Sequence, residues 1–496
     1  MRFAFTGNTE GSRGGRASLQ VGAAALVSVA VGIALSTQVA AAASRSTLHR
    51  VPDPVVIVAE KLGAMNGRKL DRLGAFALTD DGALAPIPFQ IDEKTADGAN
   101  FVYPGGRERN PEAGNGVLDG HDELVLMASD CGGRVVGAAD AREGNEDSRG
   151  AVGAEAAPSP WPTGTERVAE IEVSDPADGT RGFAYLLAFA DAAPPPARSL
   201  ERYVHYDAET ETITASSYTM QYEPGKDRIF FSSISIPASA GGNGQDFVDR
   251  LKMRTSIETK LFFSVSFDED EWASVVAAYL DGPVRAIRQV KNRLSFLGIP
   301  VAPTIVVEAT YYRDFHVAPT RIHQTVDFPS IASAAWFKAA VDLNDAARGM
   351  RYYRPSGDGA SPWHGIDGVP TEDERNLDPH QPPWHLVTGA PGTFLWLMEL
   401  PKPLVPATRL ELHDDAASPE PPESTPGTLG ELTYRIDLMP LAPGDYQMRV
   451  FYLFPPRWQP GDEARWLAMT RQPLAATIVA REVDAATPAP AKTSAP

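Results

Sequence analysis

A single cysteine, Cys131, stands in 496 residues, so no internal disulfide can form and stability has to come from packing or from a metal. Basic residues are also scarce, with 45 Lys and Arg against 64 Asp and Glu and a formal charge of −19. Affinity for a phosphate backbone needs clustered cations, so nucleic acid is excluded as an expected partner. The carboxylate excess suits cations and uncharged glycans instead. No run of 18 apolar residues follows residue 43, so no transmembrane segment is expected in the mature chain. G-x-S-x-G, H-E-x-x-H, C-x-x-C, the P-loop and G-x-G-x-x-G are all missing, which removes support for the corresponding hydrolases, zincins, thioredoxins and nucleotide-binding folds. The 42 Gly and 43 Pro have no G-X-Y period, and 43% of the chain is hydrophobic, so collagen-like and wholly disordered classes fail as well.

What is present begins with a leader. Arg2, Arg13 and Arg16 precede a small-apolar run from Val21 to Leu35, and Val39-Ala40-Ala41-Ala42-Ala43-Ser44 follows. A positive start, an apolar stretch of about 15 residues and a small-residue cleavage site predict a secretory signal peptide over 1–43. The mature chain is then a soluble periplasmic or extracellular protein. Removal of the leader leaves 42 basic and 63 acidic side chains and a formal charge of −21.

Short β-type runs bounded by turn residues occur within 53–92 and at 168–173, 183–190, 212–222, 228–236, 251–267, 284–290, 304–312, 393–400, 409–412, 432–438 and 446–453. They predict a mainly β chain built from antiparallel β-sandwiches with long loops and one or two short helices. Helix is expected over Ile331 to Met350, which is rich in Ala, and over Glu463 to Met469, while Trp272 to Leu280 reads as helical or turn-like. The expected organisation is a small N-terminal β-rich unit at 44–131, a flexible insertion or linker at 132–166, a large β-sandwich domain at 167–483 and a disordered tail at 484–496. Residues 414–428 lack the apolar content that ordering requires and are expected to be mobile.

Four constellations carry chemistry. Residues 115–123, N-G-V-L-D-G-H-D-E, resemble the second half of an EF-hand or dockerin calcium loop, with Gly116 at the turn and Asn115, Asp119, Asp122 and Glu123 as oxygen donors for Ca²⁺. Pro111 and Ala113 stand where that pattern places its first carboxylates. Residues 311–328 read as a hairpin turning at Ala318-Pro319-Thr320-Arg321, which sets His316 opposite His323, with Asp314 as a further ligand. The motif P-W-H-x-x-x-G occurs twice, at Pro362-Trp363-His364 and Pro383-Trp384-His385, inside a long polar stretch from Tyr352 to Gly392 that also holds His380. Trp faces beside His and Asp suit stacking on sugar rings. The run Asp268-Glu269-Asp270-Glu271 reads as a solvated turn.

The segment Asp281 to Arg288, D-G-P-V-R-A-I-R, resembles strands of galactose-mutarotase-type sandwiches of carbohydrate-active proteins. That resemblance implies a sandwich fold and glycans as the ligand class. The expected function is therefore binding of extracellular or cell-envelope carbohydrate through Trp363, His364, Trp384, His385 and His380. Two alternatives stand beside it. One is a polysaccharide lyase or glycoside hydrolase using His316, His323, Tyr311, Tyr312, Arg313 and the loop histidines as acid/base groups. The other is an envelope scaffold or interaction protein.

Overall fold

The computed structural model describes residues 46–483 apart from 51, 136–158, 224–228, 262, 297–298, 301–304, 356–360, 421–426 and 482. The expected signal peptide, most of the 132–166 insertion and the 484–496 tail lie outside the described residues. The chain is mainly β, its strands pair antiparallel, and Glu463–Arg471 is the longest α-helix among the described residues. None of these helices is long and apolar enough to cross a membrane.

The sheets are layered because several strands are apolar on both faces. Glu123–Met127, with the sequence ELVLM, lacks alternation. Leu124 and Leu126 pack with Val55, Ile57 and Ile171 on one side, whereas Val125 and Met127 pack with Val284, Phe451 and Leu453 on the other. A strand covered on both faces reads as a continuous apolar run. It is the centre of a three-stranded sheet between Pro54–Val58 and Gln90–Asp92. A five-stranded sheet faces it, in the order Ala475–Arg481, Thr165–Ser174, Arg181–Phe189, Leu73–Leu78, Leu84–Pro86. Residues 167–189, expected in the large domain, thus join the sheet of the N-terminal strand Leu73–Leu78, which Arg181–Phe189 pairs directly, and the last strand closes the same sheet.

The largest sheet runs Trp272–Asp281, Ala286–Phe296, Ile305–Tyr311, Phe315–Gln324, Gly444–Leu453, Gly392–Glu399, Trp384–Gly389, Arg351–Tyr353, Trp363–Gly365, with Ile299–Pro300 paired beside the second strand. Its outer face carries the Val125/Met127 contact. Its inner face meets two further sheets. One is ordered Ser264–Phe267, Val248–Thr259, Ala332–Leu343, Thr428–Asp437, Thr408–Asp415, and the other Phe231–Ser235, Thr219–Tyr222, Thr212–Ala215, Val204–Asp207. The main apolar core lies among these three.

Three expectations about local structure are corrected. Ile331 to Met350 is no helix: Ala332–Leu343 is a central strand, hydrogen-bonded to Val248–Thr259 on one side and Thr428–Asp437 on the other. Phe337, Ala339 and Val341 face the core, while Lys338 and Asp342 lie on the opposite face in buried ion pairs with Glu431 and Lys252. The helix preference of Ala, at most about 1 kcal/mol per residue, loses to pairing on both edges. Trp272–Asp281 is likewise a strand. Residues 414–420 are held in place, and 421–426 lie outside the described residues. The Asp414 carboxylate accepts from the amides of Asp367, Gly368 and Gly430, each at 2.9 Å, and Glu420 is ion-paired with Lys338 and Arg254.

Candidate functional site

Strand register assembles a row of rings across the inner face of the large sheet. Tyr311 stands opposite His316, His316 opposite Tyr452, Tyr452 opposite Trp396, and Trp396 opposite His385. Directly opposed residues sit about 5 Å apart, so five neighbouring strands each contribute one ring to a single line. The ring centroids are 4.5, 4.7, 6.0 and 5.7 Å apart in that order, and the interplanar angles of 24°, 12°, 9° and 27° make each contact a stack. All five side chains are buried.

Both ends of the row are tied into hydrogen-bond networks. At one end the Tyr311 and Tyr222 hydroxyls are 2.5 Å apart, and the Arg288 guanidinium lies 4.2 Å from the centre of the Tyr222 ring. Arg288 donates to Glu211 at 2.5 Å and to the Tyr206 hydroxyl at 3.3 Å, which neutralises its buried charge. At the other end His385 Nε2 donates to the Thr433 carbonyl at 3.0 Å, so Nδ1 is free to accept from the Tyr352 hydroxyl at 3.1 Å. Arg354 donates to that same hydroxyl at 2.9 Å. Burial, with Arg354 nearby, holds His385 well below the usual imidazole range.

The middle of the row is different. His316 Nδ1 and Trp396 Nε1 are buried and have no hydrogen-bond partner among the described residues. Burial and the Arg288 charge push His316 down to about 3, so its imidazole is neutral at pH 7. His316, Tyr452 and Trp396 line a cavity of about 1090 Å³ between the large sheet and the facing five-stranded sheet. Met253, Phe337, Ala339, Ile436, Met448 and Val450 supply much of the remaining wall.

Of the candidate acid/base groups, the structure brings Tyr311 and His316 into contact, sets His385 at the far end of the same row and separates the others. Phe315–Gln324 is one continuous strand, and the turn lies at Arg313 and Asp314, closed by a 2.8 Å bond from the Tyr312 amide to the Phe315 carbonyl. His323 therefore shares a strand with His316 instead of facing it. Seven residues at about 3.3 Å each put the two roughly 23 Å apart, and His323 is exposed beside Asp445 at 2.7 Å. Tyr312 packs on the outer face of the sheet against Phe315. Arg313 is bound to Asp314 and to the Ser129 hydroxyl, both at 2.8 Å.

The polar stretch 352–392 is not one open loop: apart from 356–360, which lie outside the described residues, its connecting segments are interrupted by the strands Trp363–Gly365 and Trp384–Gly389 and the short helix Glu372–Arg375. Trp384 is buried at 4% exposure on the outer side of the sheet, whereas its neighbour His385 enters the inner row. Trp363 is half-buried, packed on Tyr353 and Trp458 with Arg351 4.3 Å over its ring. His364 is half-buried next to it, and His380 Nδ1 lies 3.0 Å from the Thr408 carbonyl. These residues do not form one exposed platform.

The oxygens of the calcium-like segment are used internally. Asp122 accepts from the amides of Lys94 and Asp119, Asp119 from the His121 amide, and Asn115 from the Val117 amide. Burial opposes ionising Glu123, but Arg285 and Lys94 prevail and hold it below its ordinary value. Gly116 does adopt the left-handed conformation the turn requires, at φ 68°. Among the described residues no group of three or more His, Cys, Asp or Glu is placed to hold a metal ion. Glu269 is no solvated turn residue either, being buried and accepting from the Met253 amide.

Tyr452, Trp396, Tyr222, Arg288 and Glu211 were not candidates from sequence. Alternating large residues in 394–398 and 446–452 mark two inward faces, but only the register of distant strands aligns them.

No family model matches the chain, and no curated protein matches it. Solved structures give distant likenesses. An alpha-mannosidase from Enterococcus faecalis V583 aligns over 66% of this chain and 40% of its own, at 12% identity and a TM-score of 0.38. The Slr1438 protein from Synechocystis sp. PCC 6803 aligns over 54% of this chain and all of its own, at 12% identity and a TM-score of 0.30. A GH92 family glycosyl hydrolase, ccman5, aligns over 51% of this chain and 30% of its own, at 11% identity and a TM-score of 0.23. This chain thus spans less than half of the mannosidase, and these values assign it neither a family nor a function.

Proposed function

We propose that the protein is a binding protein whose ligand, apolar over most of its length and polar at one point, occupies the cavity between the two sheets. The observation that carries this reading is the cavity itself. Protein cores are packed like organic crystals, whereas here a space of about 1090 Å³, partly open to solvent, is left between the sheets. The space is of a size that takes a small-molecule ligand, and its wall is mainly aliphatic and aromatic along the sheets, with a polar part that includes Gln289, Glu308, Arg321, His323 and Asp445. His316 and Trp396, each with an unpartnered ring nitrogen, are where the polar point of such a ligand gains a hydrogen bond.

Binding is favoured over catalysis by the state of the groups present. General acid–base chemistry wants a pKa near the working pH. In the cavity wall His316 is pushed down to about 3, and burial pushes Tyr311, Tyr222 and Tyr452 up. The proposal places this binding outside the cytoplasm, in keeping with the leader read from the sequence.

Carbohydrate binding keeps one structural support, the half-buried Trp363 and His364 on the edge strand Trp363–Gly365. The two readings separate in one experiment. Uptake of an environment-sensitive apolar dye, and its displacement by long-chain alcohols, is compared with a glycan panel for the unsubstituted chain, Ala339→Trp and Trp363→Ala. Cavity binding predicts dye uptake that Ala339→Trp reduces at least tenfold and Trp363→Ala leaves alone. Glycan binding lost in Trp363→Ala, with no dye uptake, would replace the cavity reading with the carbohydrate one.

A further inference from the structure

One end of the cavity is bordered by an apolar surface that the fold leaves uncovered. The short helix Phe328–Ile331 has Phe328 in the cavity wall, whereas Ile331, three residues on, is 48% exposed. The hairpin that joins Val248–Thr259 to Ser264–Phe267 is attached to this helix. The Lys260 amide donates to the Ile331 carbonyl at 3.0 Å, and Lys260 Nζ donates to the Pro329 carbonyl at 2.5 Å. At the hairpin tip Leu261 is 76% and Phe263 53% exposed. Three large apolar side chains therefore stand in water on two joined segments, one of which also walls the cavity.

The charge pattern says what such a surface fits. Acidic residues outnumber basic ones along the chain, yet from Thr259 to Phe267 the one ionisable side chain is Lys260, and from Phe328 to Phe337 there is none. Taking carboxylates to a lipid headgroup region is unfavourable, whereas exposed Leu, Phe and Ile with a lone cation are what an interfacial anchor presents. Large apolar side chains left exposed on joined segments beside a cavity point to an interaction site.

We propose that Leu261, Phe263 and Ile331 form a docking tip for a lipid surface, and that the cavity exchanges its apolar ligand with that surface past the Phe328–Ile331 helix. The inference rests on the cavity-binding reading and names the source of the ligand. The test is co-sedimentation of the full chain with phosphatidylcholine vesicles, with and without phosphatidylglycerol. The unsubstituted chain is compared with the double variant Leu261→Asp/Phe263→Asp and with Val369→Asp, which alters a 63% exposed apolar residue on a different segment. All carry the same residues 1–43, so any vesicle affinity of that segment cancels.

The expected result is at least a tenfold loss of vesicle binding in the double variant alone. Uptake of apolar dye from vesicle-free solution should be unchanged, which also shows that the variant is folded. Equal sedimentation of all three proteins would overturn the docking proposal while leaving the cavity reading in place. A sedimentation equilibrium in which the unsubstituted chain is a dimer and the double variant a monomer, without vesicle binding, would assign the patch to a second copy and also overturn it. Loss of dye uptake in every protein, with vesicle binding intact, would instead remove the cavity reading.

Discussion

Two buried arginines three residues apart show how differently the two faces of the large sheet are built. Arg285 points to the outer face, where it donates to Asp92 at 2.6 Å and to Glu123 at 2.7 Å, while the Gln90 side-chain oxygen accepts from the amides of Val284 and Arg285. Gln90 is pressed so closely on Gly282 that a Cβ there would lie 2.0 Å from it. That face is closely packed, and the charges of Arg285, Asp92 and Glu123 are matched there. Arg288 points to the inner face, where it is held by Glu211 and the tyrosines but borders a cavity, with His316 Nδ1 unpartnered two strands away. The contrast separates the part of the molecule that joins layers from the part that is arranged for a ligand.

The largest effect expected is on the outer face. Arg285→Met leaves Asp92 and Glu123 without their shared cation and should lower stability to urea by about 3–5 kcal/mol. Arg288→Met leaves one carboxylate, Glu211, which keeps the Tyr206 hydroxyl at 3.1 Å, so the loss should be smaller, about 2–3 kcal/mol, and should be accompanied by weaker uptake of apolar ligands. Equal losses with unchanged uptake would mean that both arginines are structural.

A pH titration sharpens the same comparison on the inner face. His316 is depressed from 6.5 to about 3 in the folded chain, so below pH 6.5 the unfolded state binds a proton that the folded state does not. Its contribution is complete above pH 6.5 and is lost as pH falls towards 3, on the order of 5 kcal/mol. His316→Phe keeps the stack and removes the titrating group, so its stability should fall less between pH 6.5 and 4 than that of the unsubstituted chain. Parallel curves would count against a buried neutral imidazole at this position. The smallest effect concerns residues 115–123. Because their oxygens accept from backbone amides or pair with Lys94 and Arg285, the melting temperature should be the same in millimolar Ca²⁺ and in chelator, and a rise with Ca²⁺ would show that the loop rearranges around the ion.

How much of this was legible beforehand follows from what is local and what is not. The β class is local: alternation in Gly444–Leu453, turn residues between short apolar runs, and the terminal helix Glu463–Arg471 are all readable. Ala332–Leu343 was misread because its alanines favour a helix in isolation, and only two flanking strands make it a sheet centre. Pro319 looked like a turn residue but sits at an exposed position inside a strand, pairing with Arg449. That one misplacement set His316 against His323. His316 and His385 stand in two unrelated sequence motifs, yet they belong to the same row, 69 positions apart in sequence, and no single-strand pattern encodes the register that unites them. Trp384 and His385 show the cost of a period of two: adjacent residues of one motif point to opposite faces.

The central claim is that the space beside the His316–Tyr452–Trp396 row holds a ligand. A crystal structure of the protein with a brominated long-chain alcohol tests it most directly. Anomalous bromine density between Met253 and Trp396, with the hydroxyl within hydrogen-bond reach of His316 or Trp396, is the predicted result. A cavity closed by repacked side chains, with bromine bound elsewhere on the chain, would contradict it.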